Sequence, residues 1–262
     1  MLKKNFQIIL AVFVSSILLH PTALTAAQSL QVNLKPNHIA MGATYNGTTI
    51  SVTGKIPADA EVLIRLLGHY SDTKLKKKGR ALGFLWMNMG AVEFKNIPSV
   101  FLLLPSPDLE KFSRGDHEAW RKIGLGFGTL EEKAVIVPAS EDKEKLFKDF
   151  RKLKESAELY GVQKNRIRYG STTGSMKPFA ATMSIPSDIP EGTYTVQVYA
   201  IRDASIVASA EQSITAEEVG FPATLSFLAF HHATLYGVLA VVVAIIAGLF
   251  TGLIFKGAKG GH

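Results

Sequence analysis

Twenty-two consecutive residues without a charge, Thr234 to Phe255 (TLYGVLAVVVAIIAGLFTGLIF), constrain this chain more than any other feature. As a helix rising 1.5 Å per residue the stretch is about 33 Å long, enough to cross a hydrocarbon core of about 30 Å. Only a helix or a closed barrel satisfies backbone hydrogen bonds in lipid, and one segment cannot close a barrel. The expectation is one C-terminal transmembrane helix over 234–255. It has a juxtamembrane segment over 222–233 before it and a short tail over 256–262 behind it, with Lys256 and Lys259.

The other apolar end reads differently. Lys3 and Lys4 precede a run of 14 mostly apolar residues, Phe6 to Leu19, and Thr25-Ala26-Ala27 supplies small residues before Gln28. That is the layout of a secretory signal peptide over 1–27, cleaved after Ala27. An uncleaved anchor is the competing reading, but 14 residues with Ser15 and Ser16 among them are short for a span. Lysines at both ends then hold both ends in the cytoplasm by the positive-inside rule. The expected localisation is the inner (plasma) membrane, single-pass, with residues 28–221 facing the periplasm and the C-terminus in the cytoplasm. Export also removes nucleic acid from the expected partners and leaves the lipid bilayer among them.

Charge and cysteine usage narrow the classes further. Formal net charge is +7 from 29 basic and 22 acidic residues, and leaving out Lys3 and Lys4 gives 27 − 22 = +5. An excess of that size is ordinary for a solvated surface. With no cysteine there is no disulfide framework, no thiolate metal site and no cysteine nucleophile. The exported part must therefore rest on its own hydrophobic core, for which nearly 200 residues are ample.

From Gln28 to Pro105 the pattern is that of short strands. Asn46-Gly47 is a turn signal followed by β-branched TTISVTGKI, and Gln31–Leu34, Glu61–Leu67, Ala81–Met89, Ala91–Ile97 and Ser99–Leu104 continue the series. Pro107 to Gly161 changes period. A short helix is expected over Asp116–Ile123, and a longer one over Glu141–Tyr160. Its apolar stripe is Leu146, Phe150, Leu153, Ala157 and Tyr160, with Ser140 as cap and Gly161 beyond its end. Strands then resume at Arg166–Tyr169, Phe179–Ile185, Gly192–Ile201 and Ser205–Thr215, with a hairpin turn at Arg202-Asp203-Ala204. Tyr194, Val196, Val198 and Ala200 share one face of their strand, as a half-buried sheet requires. The expected fold class is mainly β: an antiparallel, Ig-like β-sandwich with a helical insertion over about 107–161, plus the membrane helix. Two small β domains flanking the helix are the alternative.

No catalytic, cofactor or metal site can be assembled from spacing. The histidines beyond the signal peptide, His38, His69, His117, His231, His232 and His262, lack metal-ligand spacing. Gly124, Gly126 and Gly128 lack the lysine and context of a phosphate loop, and no serine sits in a nucleophile elbow. An enzyme is not expected. Three features point instead to contacts. Lys74, Lys76, Lys77, Lys78 and Arg80 form a dense basic loop, read as a solvated turn or as a contact for anionic headgroups or an acidic partner. Leu82, Phe84, Leu85, Trp86 and Met87 form a near-continuous apolar run, expected to enter the core, with an exposed edge for strand addition as the alternative. His231 and His232 sit at the outer membrane boundary as a possible interfacial contact. Within the membrane stretch, Ala240, Ala244, Gly248 and Gly252 recur every four residues and make a helix-packing stripe.

Several stretches together resemble a known family. They are Asn46-Gly47 with TTISVTG behind it, RALGFLWMNMGAVEFKNIPSVF (Arg80–Phe101), RKLKESAELYG, PSDIPEGTYTVQVYAIRD (Pro186–Asp203), and ATLYGVLAV with the GLIFK that ends the membrane helix. In this order they resemble the bacterial family of transmembrane proteins first described from alphaproteobacteria, which is uncharacterised in function. The chain departs from that pattern after Phe101, where LLLPSPDLEKF replaces a more polar run. The resemblance implies an exported domain on a C-terminal anchor. It also implies an accessory role beside permeases of the sulfite-exporter type, which family members are often encoded next to. The function expected is thus a non-enzymatic accessory or interaction subunit of a membrane transporter or complex, or a homo-oligomer in the membrane. A periplasmic ligand-binding or sensory module is the alternative.

Overall fold

Alternation decides most of the architecture. The computed structural model describes residues 28–81, 84–110, 121–138 and 142–256. Their strands form three sheets. The largest runs β1 (Gln28–Ser29), β14 (Ser205–Glu218), β13 (Gly192–Arg202), β5 (Glu61–Leu67), β8 (Phe101–Pro105), β10 (Tyr160–Val162), and β3 (His38–Met41) also pairs with β14. The second runs β11 (Ile167–Tyr169), β12 (Met176–Ile185), β4 (Thr48–Pro57), β2 (Val32–Lys35). The third runs β6 (Tyr70–Ala81), β7 (Leu85–Pro98), β9 (Val135–Val137). Pairing is antiparallel except at three short pairs, β1 and β3 on β14 and β10 on β8.

The first two sheets face each other across the main core. Every second residue of β13 (Tyr194, Val196, Val198, Ala200) is buried, and so are Val62, Ile64 and Leu66 of β5. Opposite them lie Ile50, Val52 and Ile56 of β4 with Phe179, Ala181, Met183 and Ile185 of β12. Each such aliphatic side chain contributes roughly 1.5–3 kcal/mol by leaving water. β4 and β5 precede the helical region whereas β12 and β13 follow it. Residues from before and after the helical region therefore lie in one core. One of the two turn signals is met by a hairpin turn, whereas near Asn46-Gly47 the turn falls earlier, at Ala43-Thr44. Gly47 has φ +82°, and a Cβ there would lie 2.7 Å from the carbonyl oxygen of Ile185. Asp203 and Ala204 both have positive φ and close the β13–β14 hairpin, with Arg202 opposite Ser205.

β8 is buried on both faces, because a second core forms behind it. Leu67, Phe101 and Leu103 meet Phe94 and Ile97 of β7, Ile136 of β9, Leu130 and Ala134 at α1 (Phe127–Lys133), and Phe147 and Phe150 of α2 (Lys143–Ser156). Here the structure corrects the expected stripe. α2 ends at Ser156, Ala157 caps it, and Glu158 at φ 57° turns the chain, so Tyr160 and Gly161 belong to β10. Phe147 and Phe150 are the buried pair of α2, and Leu153 is 51% exposed. The expected cap Ser140, and all but 121–123 of the expected short helix, lie outside the described residues, as do residues 1–27.

The chain leaves the sandwich through α3 (Phe221–His231) and α4 (Ala233–Lys256). The expected juxtamembrane segment is thus mostly a separate apolar helix. Ser226 Oγ of α3 donates to Glu218 Oε2 at the end of β14, 2.6 Å away. α4 includes the one helix among the described residues long and apolar enough to span a bilayer, Ala233–Phe255, with mean hydropathy 2.8 and no burial.

Candidate functional site

β6 and β7 form a long hairpin standing on the second core. The expected basic loop is a strand: Lys74, Lys76, Lys77, Lys78 and Arg80 all lie in β6, paired in register with β7. Lys74 sits opposite Glu93, Lys76 opposite Ala91, Lys78 opposite Asn88 and Arg80 opposite Trp86. Register shifts twice, and each time the extra residue is on β7. One bulge holds Asn96 at φ 51°, with its N–H donated to Asp72 Oδ1 at 2.9 Å. The other holds Gly90 at φ +126°, with its N–H donated to Asn88 Oδ1 at 3.1 Å. β6 itself is uninterrupted, so alternation places Lys74, Lys76, Lys78 and Arg80 on one face and Leu75 and Lys77 on the other.

The hairpin end overturns a second expectation. Of the run from Leu82 to Met87, three residues stay outside the core: Phe84 is 77% exposed, Leu85 52% and Met87 47%. Leu82 lies outside the described residues. Burial stops at the base, where Phe94 stacks on Phe150 with ring centroids 4.3 Å apart and Leu75 and Val92 pack partly buried. Sequence reasoning took apolar composition as core, but two strands beyond the reach of a second layer have nothing to bury against.

Between the hairpin base and α2 lies a groove of about 310 Å³. Leu75, Val92, Phe94, Leu146 and Phe150 make its apolar floor, and Lys76–Lys78, Lys145, Asp142 and Asp149 surround it. Farther along α2, the Lys154 ammonium lies 5.7 Å from the Phe150 ring centre and 5.9 Å from that of Tyr160. Burial there lowers its pKa below the usual lysine value. Tyr160, 2% exposed, donates its hydroxyl to the Pro98 carbonyl at 2.6 Å and so ties β10 to the hairpin base. No sequence signal distinguished Phe147, because its burial depends on which side of α2 the sheet covers, whereas Tyr160 lay on the expected stripe but reaches this core from β10.

Other polar groups serve the sandwich. Lys177 Nζ donates to Glu61 Oε1 at 2.9 Å, the Tyr169 hydroxyl donates to Glu61 Oε2 at 2.7 Å, and Tyr169 Oη accepts the Val62 N–H at 3.0 Å. Burial raises the Tyr169 pKa above its ordinary value, so this phenol keeps its proton at neutral pH. Arg65 donates to Gln197 Oε1 at 2.7 and 2.9 Å and to the Tyr199 hydroxyl at 3.1 Å on the outer face of the large sheet. The histidines are dispersed: His38 is 3.4 Å from Glu217, His69 is 3.4 Å from Ser99, and His117 and His262 lie outside the described residues. Among the described residues no group of three or more His, Asp or Glu side chains could hold a metal ion.

His231 and His232 mark the break between α3 and α4. His231 stacks on Phe227 at 4.7 Å and His232 meets the same ring edge-on at 5.5 Å. In α4 the residues Ala240, Ala244, Gly248 and Gly252 are all exposed, and a Cβ built on either glycine meets nothing within 4 Å. The structure therefore separates the candidates into a basic hairpin with an apolar end, an amphipathic groove at its base, and an unpacked membrane-length helix. No curated protein matches the chain. A strand-rich domain followed by a single C-terminal apolar helix is the arrangement in which a family model finds its match over residues 29–257, and the chain belongs to that family, described as putative transmembrane protein (Alph_Pro_TM).

Proposed function

We propose that this chain is a single-pass, membrane-anchored periplasmic protein that acts without catalysis, as an accessory or interaction subunit of a membrane transporter or complex. The observation that carries the proposal is α4, an apolar helix of spanning length whose apolar window is left unburied by the described residues. Gly248 and Gly252 lie one helical turn apart with open space over both, so another helix can approach its backbone closely. Lys256 behind the helix favours a cytoplasmic C-terminus and hence a domain outside, in the inner membrane. A permease of the sulfite-exporter type is the partner class that the family resemblance implies, and self-association through the same stripe is its competitor.

The test is the double variant Gly248→Leu with Gly252→Leu in the full chain. Crosslinking in intact membranes and copurification in mild detergent should lose the partner, or the second copy, while membrane insertion is unchanged. Association that survives both substitutions overturns the assignment. A second reading, a ligand-binding or sensory module, is supported by the groove of about 310 Å³, where lysines and aspartates converge above an apolar floor. Val92→Trp would fill that groove. Loss of a thermal shift produced by anionic amphiphiles, with the α4 partner retained, would favour this reading over the first.

A further inference from the structure

We infer that the β6–β7 hairpin is a second membrane-docking element, an arm that lays its apolar end into a bilayer surface bearing anionic phosphate headgroups. The end of the arm offers Phe84, Leu85 and Met87, exposed at 77%, 52% and 47%. Large side chains do not gain by standing in water, and a cluster of them at one extremity marks a contact surface. Its chemistry is specified by what lies next to it. From Lys74 to Val92 the chain carries five cations and no acidic residue. Four of them, Lys74, Lys76, Lys78 and Arg80, share one face of β6. An apolar end backed by a cationic stripe matches the layering of an anionic bilayer, with hydrocarbon below and phosphate above.

The same stripe argues against addition of a partner strand. β6 is an edge of its sheet, and lysines along an edge strand discourage another strand from pairing there. The arm is also packed at its root. Phe94 packs on Phe150 at its root, and two bulges, each closed by a side-chain hydrogen bond, set its bend. From Leu75 to Ala81 the strand advances about 20 Å past the root, at roughly 3.3 Å per residue. The inference rests on the anchoring reading in one respect: α4 keeps the arm near a bilayer, so a weak surface contact is populated.

The chain has no cysteine, so Phe84→Cys gives one site for a nitroxide label. The full chain is reconstituted in vesicles of phosphatidylcholine with about one-third phosphatidylglycerol, and in phosphatidylcholine alone. Collisions of the label with oxygen, which partitions into lipid, are compared with those of a neutral water-soluble nickel chelate. Oxygen should dominate in the anionic vesicles and the chelate in the neutral ones. Lys76→Gln, Lys78→Gln and Arg80→Gln together should lower the docked-to-free ratio on the order of a hundred-fold, at about five-fold per cation. Free exposure to the chelate in anionic vesicles overturns the inference, and so does equal lipid exposure in neutral vesicles or in the triple variant. Shielding from both reagents that disappears on diluting protein into lipid identifies a second copy at the arm, and also overturns it. Flotation of the chain with vesicles after an alkaline wash reports on α4 separately, so failure of the anchor and failure of the arm are distinguishable.

Discussion

Replacing Phe150 by alanine removes the ring that joins α2 to the hairpin. Phe150 is 2% exposed, stacks on Phe94 at 4.3 Å, and meets Tyr160 edge-on at 5.8 Å and Phe147 at 6.2 Å. Phe→Ala substitutions at such sites cost about 3–5 kcal/mol, from lost transfer free energy and the cavity left behind. Against a total domain stability of about 5–15 kcal/mol the effect is large. It should also be local. Phe150 belongs to the second core, on the opposite side of β5 and β8 from the sandwich core that holds β13. Hydrogen exchange read by mass spectrometry on the purified full chain should show α2 and the β6–β7 hairpin losing protection on the order of a hundred- to several-thousand-fold. The middle of β13 should lose much less. Phe94→Ala combined with Phe150→Ala should show a coupling of about 0.5–1.5 kcal/mol in denaturant titrations, as a stacked pair does. A loss below about 1 kcal/mol, or equal deprotection of β13 and α2, would refute the division into two cores.

Alkali should unfold the domain. Burial raises the pKa of Tyr160, Tyr169 and Tyr194 above the ordinary value of 10.0, so above pH 10 the unfolded chain releases protons that the folded chain keeps. Stability from these groups is complete below pH 10 and falls as pH rises past it. A titration followed by circular dichroism and phenolate absorbance should show both signals moving together, and phenolate appearing at pH 10 in a chain that stays folded would contradict the assignment. At Gly68 a Cβ would lie 2.1 Å from Ser99 Oγ and 2.8 Å from the Val100 nitrogen. Gly68→Ala should therefore destabilise by about 1–3 kcal/mol, measured as a lower denaturation midpoint, and an unchanged midpoint would show that the Ser99-Val100 link between β7 and β8 can yield there.

Legibility varied with the kind of signal. β13 was readable because its alternation is clean, and β5 because a short apolar run between turn residues suits a strand buried on both faces. Glu61–Leu67 was placed with the bounds that the structure shows, and Gly192–Ile201 falls one residue short. The turn at Asp203-Ala204 was readable because its conformation is local, and at Gly47 only the positive φ was. β6 was missed, since a lysine-rich stretch carries no apolar period and is held by cross-strand pairing with β7. The stripe of α2 was misplaced by one residue, from Leu146 and Leu153 toward Phe147, because the helix is short and the covering sheet comes from distant β7 and β8. His231 and His232 immediately precede α4. That they clasp Phe227 at a helix break depends on a chain direction that no spacing encodes.

By itself the sequence determined what depends on short range or on solvent. The membrane helix follows from 22 uncharged residues, since hydrocarbon tolerates little else. The β class follows from residue alternation, and the absence of disulfides from cysteine usage. Tertiary structure alone decided which apolar residues are inside. Phe94 and Phe84 are the same residue type on one hairpin, 2% and 77% exposed. One lies where α2 covers the sheet and the other lies past the end of that cover. Burial belongs to the partner surface, and partner surfaces here are brought together from positions more than fifty residues apart, as Phe94 and Phe150 are. For that reason the cationic arm with its apolar end is visible only in three dimensions.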